Sequence, residues 1–168
     1  MKTVITYWDD LSEIEYNSEE VDIEGAGYFL GPAAYFEPVI CDEDVDVVAN
    51  KAVLIKIKEI QVPEDSILTL LGRFRHAAGL LLALGHSGKF ERVEHAGKVN
   101  YAVFLPLVNG KILEGQLLGV GVIRKAIEKP RSVVVEKLKE LDDVISIDPE
   151  VFVKSDWPYL WAKDKSRK

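Results

Sequence analysis

Apolar and polar residues alternate most cleanly between Ala52 and Val62, where Val53, Ile55 and Ile57 interleave with Leu54, Lys56 and Lys58. Successive side chains on a strand point to opposite faces, so this spacing predicts a strand with one apolar and one amphipathic face. Asn50-Lys51 before it and Pro63-Glu64-Asp65 after it are turn chemistry. Val99 to Val108 predicts another strand. The Asn109-Gly110 that follows suits both left-handed positions of a type I′ turn, so a hairpin with Lys111-Ile112-Leu113 is expected. Leu117 to Ile123 continues in the same manner, with Gly119 and Gly121 on one face that a neighbouring backbone or a ligand could approach closely. Thr3 to Trp8 predicts a short strand, and the acidic stretch Asp9 to Glu24 predicts a loop with one brief strand. Glycines at 25, 27 and 31 and prolines at 32 and 38 allow only turns and short extended pieces up to Pro38.

Ser66 to Gly85 admits two readings. At a period of 3.6, Ile67, Leu71, Phe74, Ala78, Leu81 and Leu82 form one stripe, with Asp65 or Ser66 as N-cap and Gly85 past the end, which predicts a helix over 66–84. At a period of 2, the same segment is two strands joined through Arg73 to Ala77. Leucine and alanine favour the helix, whereas Gly72 and Gly79 count against it. Near the C-terminus, Pro130-Arg131-Ser132 opens a run in which Val134, Val135, Leu138 and Leu141 oppose Glu136, Lys137, Lys139 and Glu140, predicting a helix near 131–142. Val144 to Ile147 and Val151 to Val153 read as extended pieces around an Asp148-Pro149 turn. The expected fold is therefore mainly β, an antiparallel barrel or sandwich with one C-terminal helix. The alternative is α+β, with the additional helix at 66–84.

At 168 residues the chain suits one domain, 1–168, opened by an acidic segment (1–24) and closed by an aromatic then basic tail (156–168). A composition of 48% hydrophobic and 29% charged residues excludes wholesale disorder. The formal net charge of −7 repels phosphate backbones and anionic lipid heads, so neither nucleic acid nor a membrane surface is an expected partner. The basic run Lys163, Lys165, Arg167 and Lys168 reads as a solvated terminus. Cys41 is the sole cysteine, which rules out an intrachain disulfide and fits a reducing compartment. The start shows no signal-peptide pattern, and the longest apolar run, Ala77 to Gly85, is far below the ~20 residues of a spanning helix, so a cytoplasmic location is expected. Few methionines and glutamines beside many Glu, Lys, Val and Ile residues lean toward a thermophile's composition.

All three histidines, His76, His86 and His95, lie within twenty consecutive residues. With Glu91 or Glu94 they could hold a divalent transition metal and support hydrolytic chemistry, although spacings of ten and nine residues match no compact ligand motif. The plainer reading is three loop histidines. Arg73, Arg75 and His76 could instead bind a small phosphate or carboxylate, since guanidinium forks grip such groups bidentately. In a strand the two arginines share a face and His76 takes the other; in a helix Arg73 and His76 share one. Ion pairing with the many carboxylates of this chain is the plainer reading here. Gly25-Ala26-Gly27 with Gly31 is no dinucleotide loop, because Pro32 and Pro38 leave no room for the helix that would receive the phosphates. Asp42, Asp44 and Asp46 alternate as in a calcium loop, but Val47 and Val53 occupy its glycine and glutamate positions. Cys41 reads as a small buried side chain rather than a nucleophile. Trp157, Tyr159 and Trp161 must be covered, either by a partner subunit or by the protein's own body.

The succession Glu37-Pro38-Val39-Ile40, Asp42-Glu43-Asp44-Val45, Ile60 to Pro63, Arg75-His76-Ala77 with Gly79, then Ala102 to Val108 with Gly110-Lys111-Ile112 and Gly115, resembles an uncharacterised archaeal family. That family is the domain of unknown function numbered twenty-two, and the resemblance covers roughly residues 37 to 124. It implies an archaeal cytosolic protein, β-rich in that region, and tips Ser66 to Gly85 toward strands. It brings no reaction and no catalytic residues. A second likeness, to β-clip barrels of the dUTPase kind, rests on Val62-Pro63, the glycine-rich middle and Gly115-Gln116-Leu117-Leu118. Those enzymes' nucleotide- and metal-binding motifs are missing, so this likeness concerns the barrel alone. The leading functional expectation is a binding or assembly module, a homo-oligomer with a small anionic ligand at Arg73, Arg75 and His76. Its rivals are a metal-dependent enzyme built on His76, His86 and His95, and a structural subunit docking through Trp157 to Trp161.

Overall fold

Ten strands and no helix make up the described residues of this computed structural model, which are 2–10, 15–23, 31–32, 34–86 and 97–126, the side chain of Arg73 aside. In chain order the strands are β1 (Lys2–Tyr7), β2 (Asn17–Asp22), β3 (Ala34–Ile40), β4 (Val45–Val47) and β5 (Val53–Val62). They continue as β6 (Ser66–Arg75), β7 (Gly79–Gly85), β8 (Gly97–Pro106), β9 (Gly110–Ile112) and β10 (Leu117–Lys125). Two three-stranded antiparallel sheets, ordered β3-β10-β6 and β5-β8-β7, carry the fold, with β1-β2 and β4-β9 as smaller pairs. None of them closes into a barrel. The helix expected at 131–142, the extended pieces after it and the aromatic tail lie outside the described residues. No helix among the described residues is long and apolar enough to cross a membrane.

The two larger sheets share one core. Val39, Leu118, Ile123 and Leu68 from the first pack with Ile55, Ile57, Ile60, Leu84 and Phe104 from the second, all essentially without solvent contact. Because side chains alternate across a strand, the residues next to these face the other way. Ile40, Leu117 and Val120 form a second buried cluster on the opposite face of β3-β10-β6, joined by Phe36, Leu71, Phe74 and, from the N-terminal segment, Ile5 and Ile23. The hairpin of β1 and β2 thus covers the face that the core does not use.

The alternation read in β5 holds, with a bulge. Its register on β8 shifts between Lys56 and Ile60, and Lys58-Glu59, both exposed, absorb the extra length. Buried positions therefore move from Ile55 and Ile57 to Ile60 and Val62 while keeping to one face. At the bulge Ile57 pairs with Cys41, just past β3, and the Asp42 N–H donates to the Lys56 carbonyl at 2.9 Å. This contact ties the two sheets together along one side.

Two expectations are corrected. Residues 66–84 form no helix: β6 pairs with β10 and β7 with β8. The strand arrangement requires the glycine at 79, since a Cβ there would run into the Leu105 carbonyl oxygen and lie 2.8 Å from both the Phe104 ring and the Pro106 Cα. The Asn109-Gly110 hairpin does not form either. β9 pairs with β4, matching Val45 to Ile112 and Val47 to Gly110, and neither Asn109 nor Gly110 has a positive φ. The Asn109 side chain is spent elsewhere, its Oδ1 accepting the Ala49 N–H at 2.8 Å. Asn50 and Asp65 do sit in the left-handed region, at φ 61° and 57°, within the turns expected on either side of β5. The close approach anticipated at Gly119 and Gly121 comes from leucine side chains: a Cβ on Gly119 would lie 2.9 Å from Leu81 Cδ2, and one on Gly121 would strike Leu68.

Candidate functional site

His76 follows β6 directly and turns inward, only 1% exposed. The Ala78 N–H donates to its Nδ1 at 3.0 Å, so that nitrogen holds a lone pair and the ring proton resides on Nε2. Nε2 lies 3.1 Å from Gln116 Oε1, which also accepts the Leu113 N–H at 2.9 Å. The Gln116 side chain in turn meets the Tyr16 hydroxyl, and that hydroxyl donates to the Lys111 carbonyl at 2.7 Å. Tyr16 stands edge-on to the imidazole at 5.2 Å between centroids, Phe104 does so from the core side at 5.8 Å, and Trp8 packs edge-on against Tyr16 at 5.9 Å. Burial lowers the His76 pKa to about 4, opposed by the Gln116 bond, and burial raises the Tyr16 phenol above its usual value. A neutral, fully hydrogen-bonded imidazole is the result.

That geometry parts Arg75 from His76. Arg75 is exposed at the end of β6 while His76 faces the interior, the division a strand imposes on neighbours. The arginine end of the strand is irregular: Arg75 pairs with Gly119 and Leu71 with the adjacent Val120, leaving Gly72, Arg73 and Phe74 without cross-strand partners. His76 commits its two ring nitrogens to Ala78 and Gln116. The metal reading meets a similar obstacle, because the Nδ1 lone pair is taken by Ala78 and Nε2 carries the proton. His86 is exposed just beyond β7, and His95 lies outside the described residues. Among the described residues no group of three His, Cys, Asp or Glu side chains is placed to hold a metal ion.

Other sequence candidates have structural partners. Cys41 is buried, its Sγ 2.9 Å from the Glu43 carbonyl oxygen, and burial together with the carboxylates of Glu43, Asp44 and Asp42 pushes its thiol up, away from nucleophilic use. Asp42 pairs with Lys56 at 2.7 Å and Asp44 with Lys111 at 2.8 Å, so two carboxylates of the acidic run are met by lysines of adjoining strands. Sequence reasoning missed Tyr16 and Gln116, which are brought to His76 from distant parts of the chain. One clue was present: Gln116 is one of only two glutamines, set directly before the apolar Leu117-Leu118.

A second feature is the edge of the sheet β5-β8-β7. β7 is bonded to β8 on one side and, among the described residues, to no strand on the other. Its sequence, Gly79-Leu80-Leu81-Leu82-Ala83-Leu84-Gly85, has no charged residue, and a register shift between Leu81 and Ala83 leaves Leu82 43% exposed. Leu81 and Leu84 serve the core.

Compared with known proteins, residues 2–110 match the model of a domain of unknown function, DUF22. The chain belongs to the DUF22 family. It is 27% identical over 110 residues to an uncharacterized protein of Methanocaldococcus jannaschii, an alignment covering 64% of this chain and 84% of the relative. No solved structure matches it. The family match begins at β1, so the N-terminal hairpin that the sequence resemblance left out is part of the DUF22 unit. It ends at Gly110, before β10, the middle strand of β3-β10-β6.

Proposed function

We propose that this DUF22 chain is an assembly module that joins a second copy of itself along β7. The observation that carries the reading is an apolar, uncharged strand edge that no other strand covers among the described residues. Soluble proteins usually blunt such edges with charge, proline or a covering element, because an open row of N–H and C=O groups recruits another strand. β7 has a bulge but no charge. Its sequence also reads almost the same in both directions about Leu82. A two-fold axis there would set Leu80 against Leu84 and Gly79 against Gly85, and would match the larger Leu81 with the smaller Ala83. Two-fold pairing of one patch with itself is the commonest route to a homodimer, and strand addition supplies its hydrogen bonds. The product would be a six-stranded sheet running across both copies.

Light scattering over a range of concentrations tests this directly. The native chain is expected to be dimeric, and Leu82→Lys monomeric with an unchanged circular dichroism spectrum. Leu113→Lys, at a side chain 44% exposed outside β7, should remain dimeric. A native chain that stays monomeric throughout overturns the proposal, as does a Leu82→Lys variant that stays dimeric.

A further inference from the structure

The hairpin of β1 and β2 is fastened to the body at two turns, and both turns end on His76. At residues 76–78, the Ala77 N–H donates to Thr6 Oγ1 at 2.8 Å and the Trp8 indole N–H to the Ala77 carbonyl at 3.0 Å. At residues 111–116, the Val4 N–H and the Thr3 hydroxyl both donate to the Gly115 carbonyl, at 3.1 and 3.0 Å, and Tyr16 donates to Lys111. The imidazole bridges the two turns, accepting from Ala78 with one nitrogen and donating to Gln116 with the other. We infer that the hairpin is an acid-released strap: a proton taken up by His76 frees it as a unit while the two three-stranded sheets stay folded.

The release follows from donor geometry. A proton on Nδ1 would point at the Ala78 N–H, so a donor would face a donor and the 76–78 turn must open. The Ala77 groups that hold Thr6 and Trp8 belong to that turn and move with it. Among the described residues no counter-charge meets the ring to compensate. The described residues that meet it are Tyr16 from the hairpin segment, Gln116 ahead of β10, Phe104 of β8, and the backbones of Ala78 and Leu118. Tyr16 is the only titratable side chain among them, and no charged group among the described residues contributes to the shift at His76. The body can survive the loss because no buried residue of its main core belongs to β1 or β2. Opening instead uncovers Ile40, Leu117 and Val120, the apolar face under the strap.

The direction with pH is fixed by the two states of His76. Closed, its pKa lies at about 4; opened to water, it returns toward 6.5. Above 6.5 neither state binds the proton, and the closed strap keeps its full advantage. As pH falls from 6.5 to 4, only the open state is protonated, so opening gains about tenfold per pH unit, on the order of 300-fold in all.

Hydrogen exchange followed by mass spectrometry reads this segment by segment. After correction for intrinsic rates, peptides from residues 2–23 should exchange progressively faster between pH 6.5 and 4.5, while those from β8 hold their protection. His76→Gln, which keeps a neutral hydrogen-bonding side chain, should abolish the pH dependence of the hairpin. Hairpin and β8 opening together at every pH would overturn the inference, as would an unchanged pH dependence in His76→Gln. An NMR titration of the native chain gives a separate check, and a His76 ring titrating near 6.5 would also refute the strap.

Discussion

The two faces of the sheet β3-β10-β6 are buried by different means. One face meets β5-β8-β7 in a core of interlocking aliphatic side chains around Phe104, and its burial follows from where apolar residues fall along each strand. The other is covered by a two-stranded hairpin whose segment brings Ile5 and Ile23 to it, neither of them fully buried. Hydrogen bonds converging on His76, Gln116 and Tyr16 hold it there. A two-stranded hairpin is marginal by itself, so the cover depends on polar contacts that are strong when complete and costly when broken. A face closed by apolar packing resists a change in pH, whereas one closed by a buried imidazole does not.

Substitutions divide along the same line. Phe104→Ala should have the largest effect, because the ring fills the core and also flanks His76. A loss of about 4 kcal/mol is expected in urea unfolding, with β8 and the hairpin losing exchange protection together. Gln116→Leu comes next. It removes the shared acceptor of His76 and Leu113 and the partner of Tyr16, which should cost about 2 kcal/mol and be felt first in the exchange of residues 2–23. Protection lost equally throughout the chain in Gln116→Leu would erase the distinction between the faces. Lys98→Ala should matter least: its 3.0 Å pair with Glu59 is exposed on both sides, and the melting temperature should stay within error of the native value.

Much of the core face was legible in the sequence and little of the hairpin face was. The period of 2 in β5 marks its buried side, and the consecutive Lys58-Glu59 even mark the bulge. Ser66 to Gly85 stayed ambiguous because a leucine- and alanine-rich run satisfies both periods, and what separates them is the long-range pairing of β6 with β10 and β7 with β8. Asn109-Gly110 misled for a related reason. A local turn preference is small beside the pairing of β9 with β4 and the bond from Ala49 to the Asn109 side chain. At the candidate site, clustering in sequence picked out His76 but not its role. Arg75 and His76 are neighbours in the chain and point apart, whereas Gln116, forty positions away, is the residue that fixes the imidazole. Tyr16 arrives from the acidic segment, where no periodicity marks it.

The pairings of β3 with β10, β4 with β9 and β5 with β8 are nested, each enclosed within the one before. During synthesis β3 and β6 therefore emerge long before the strand that must lie between them, and their inner edges stay open until Lys125 has left the ribosome. A chain cut short ahead of Leu117 would lack the middle strand of one sheet and present two unpaired edges at once, making the insertion of β10 a step at which a nascent copy is exposed to aggregation.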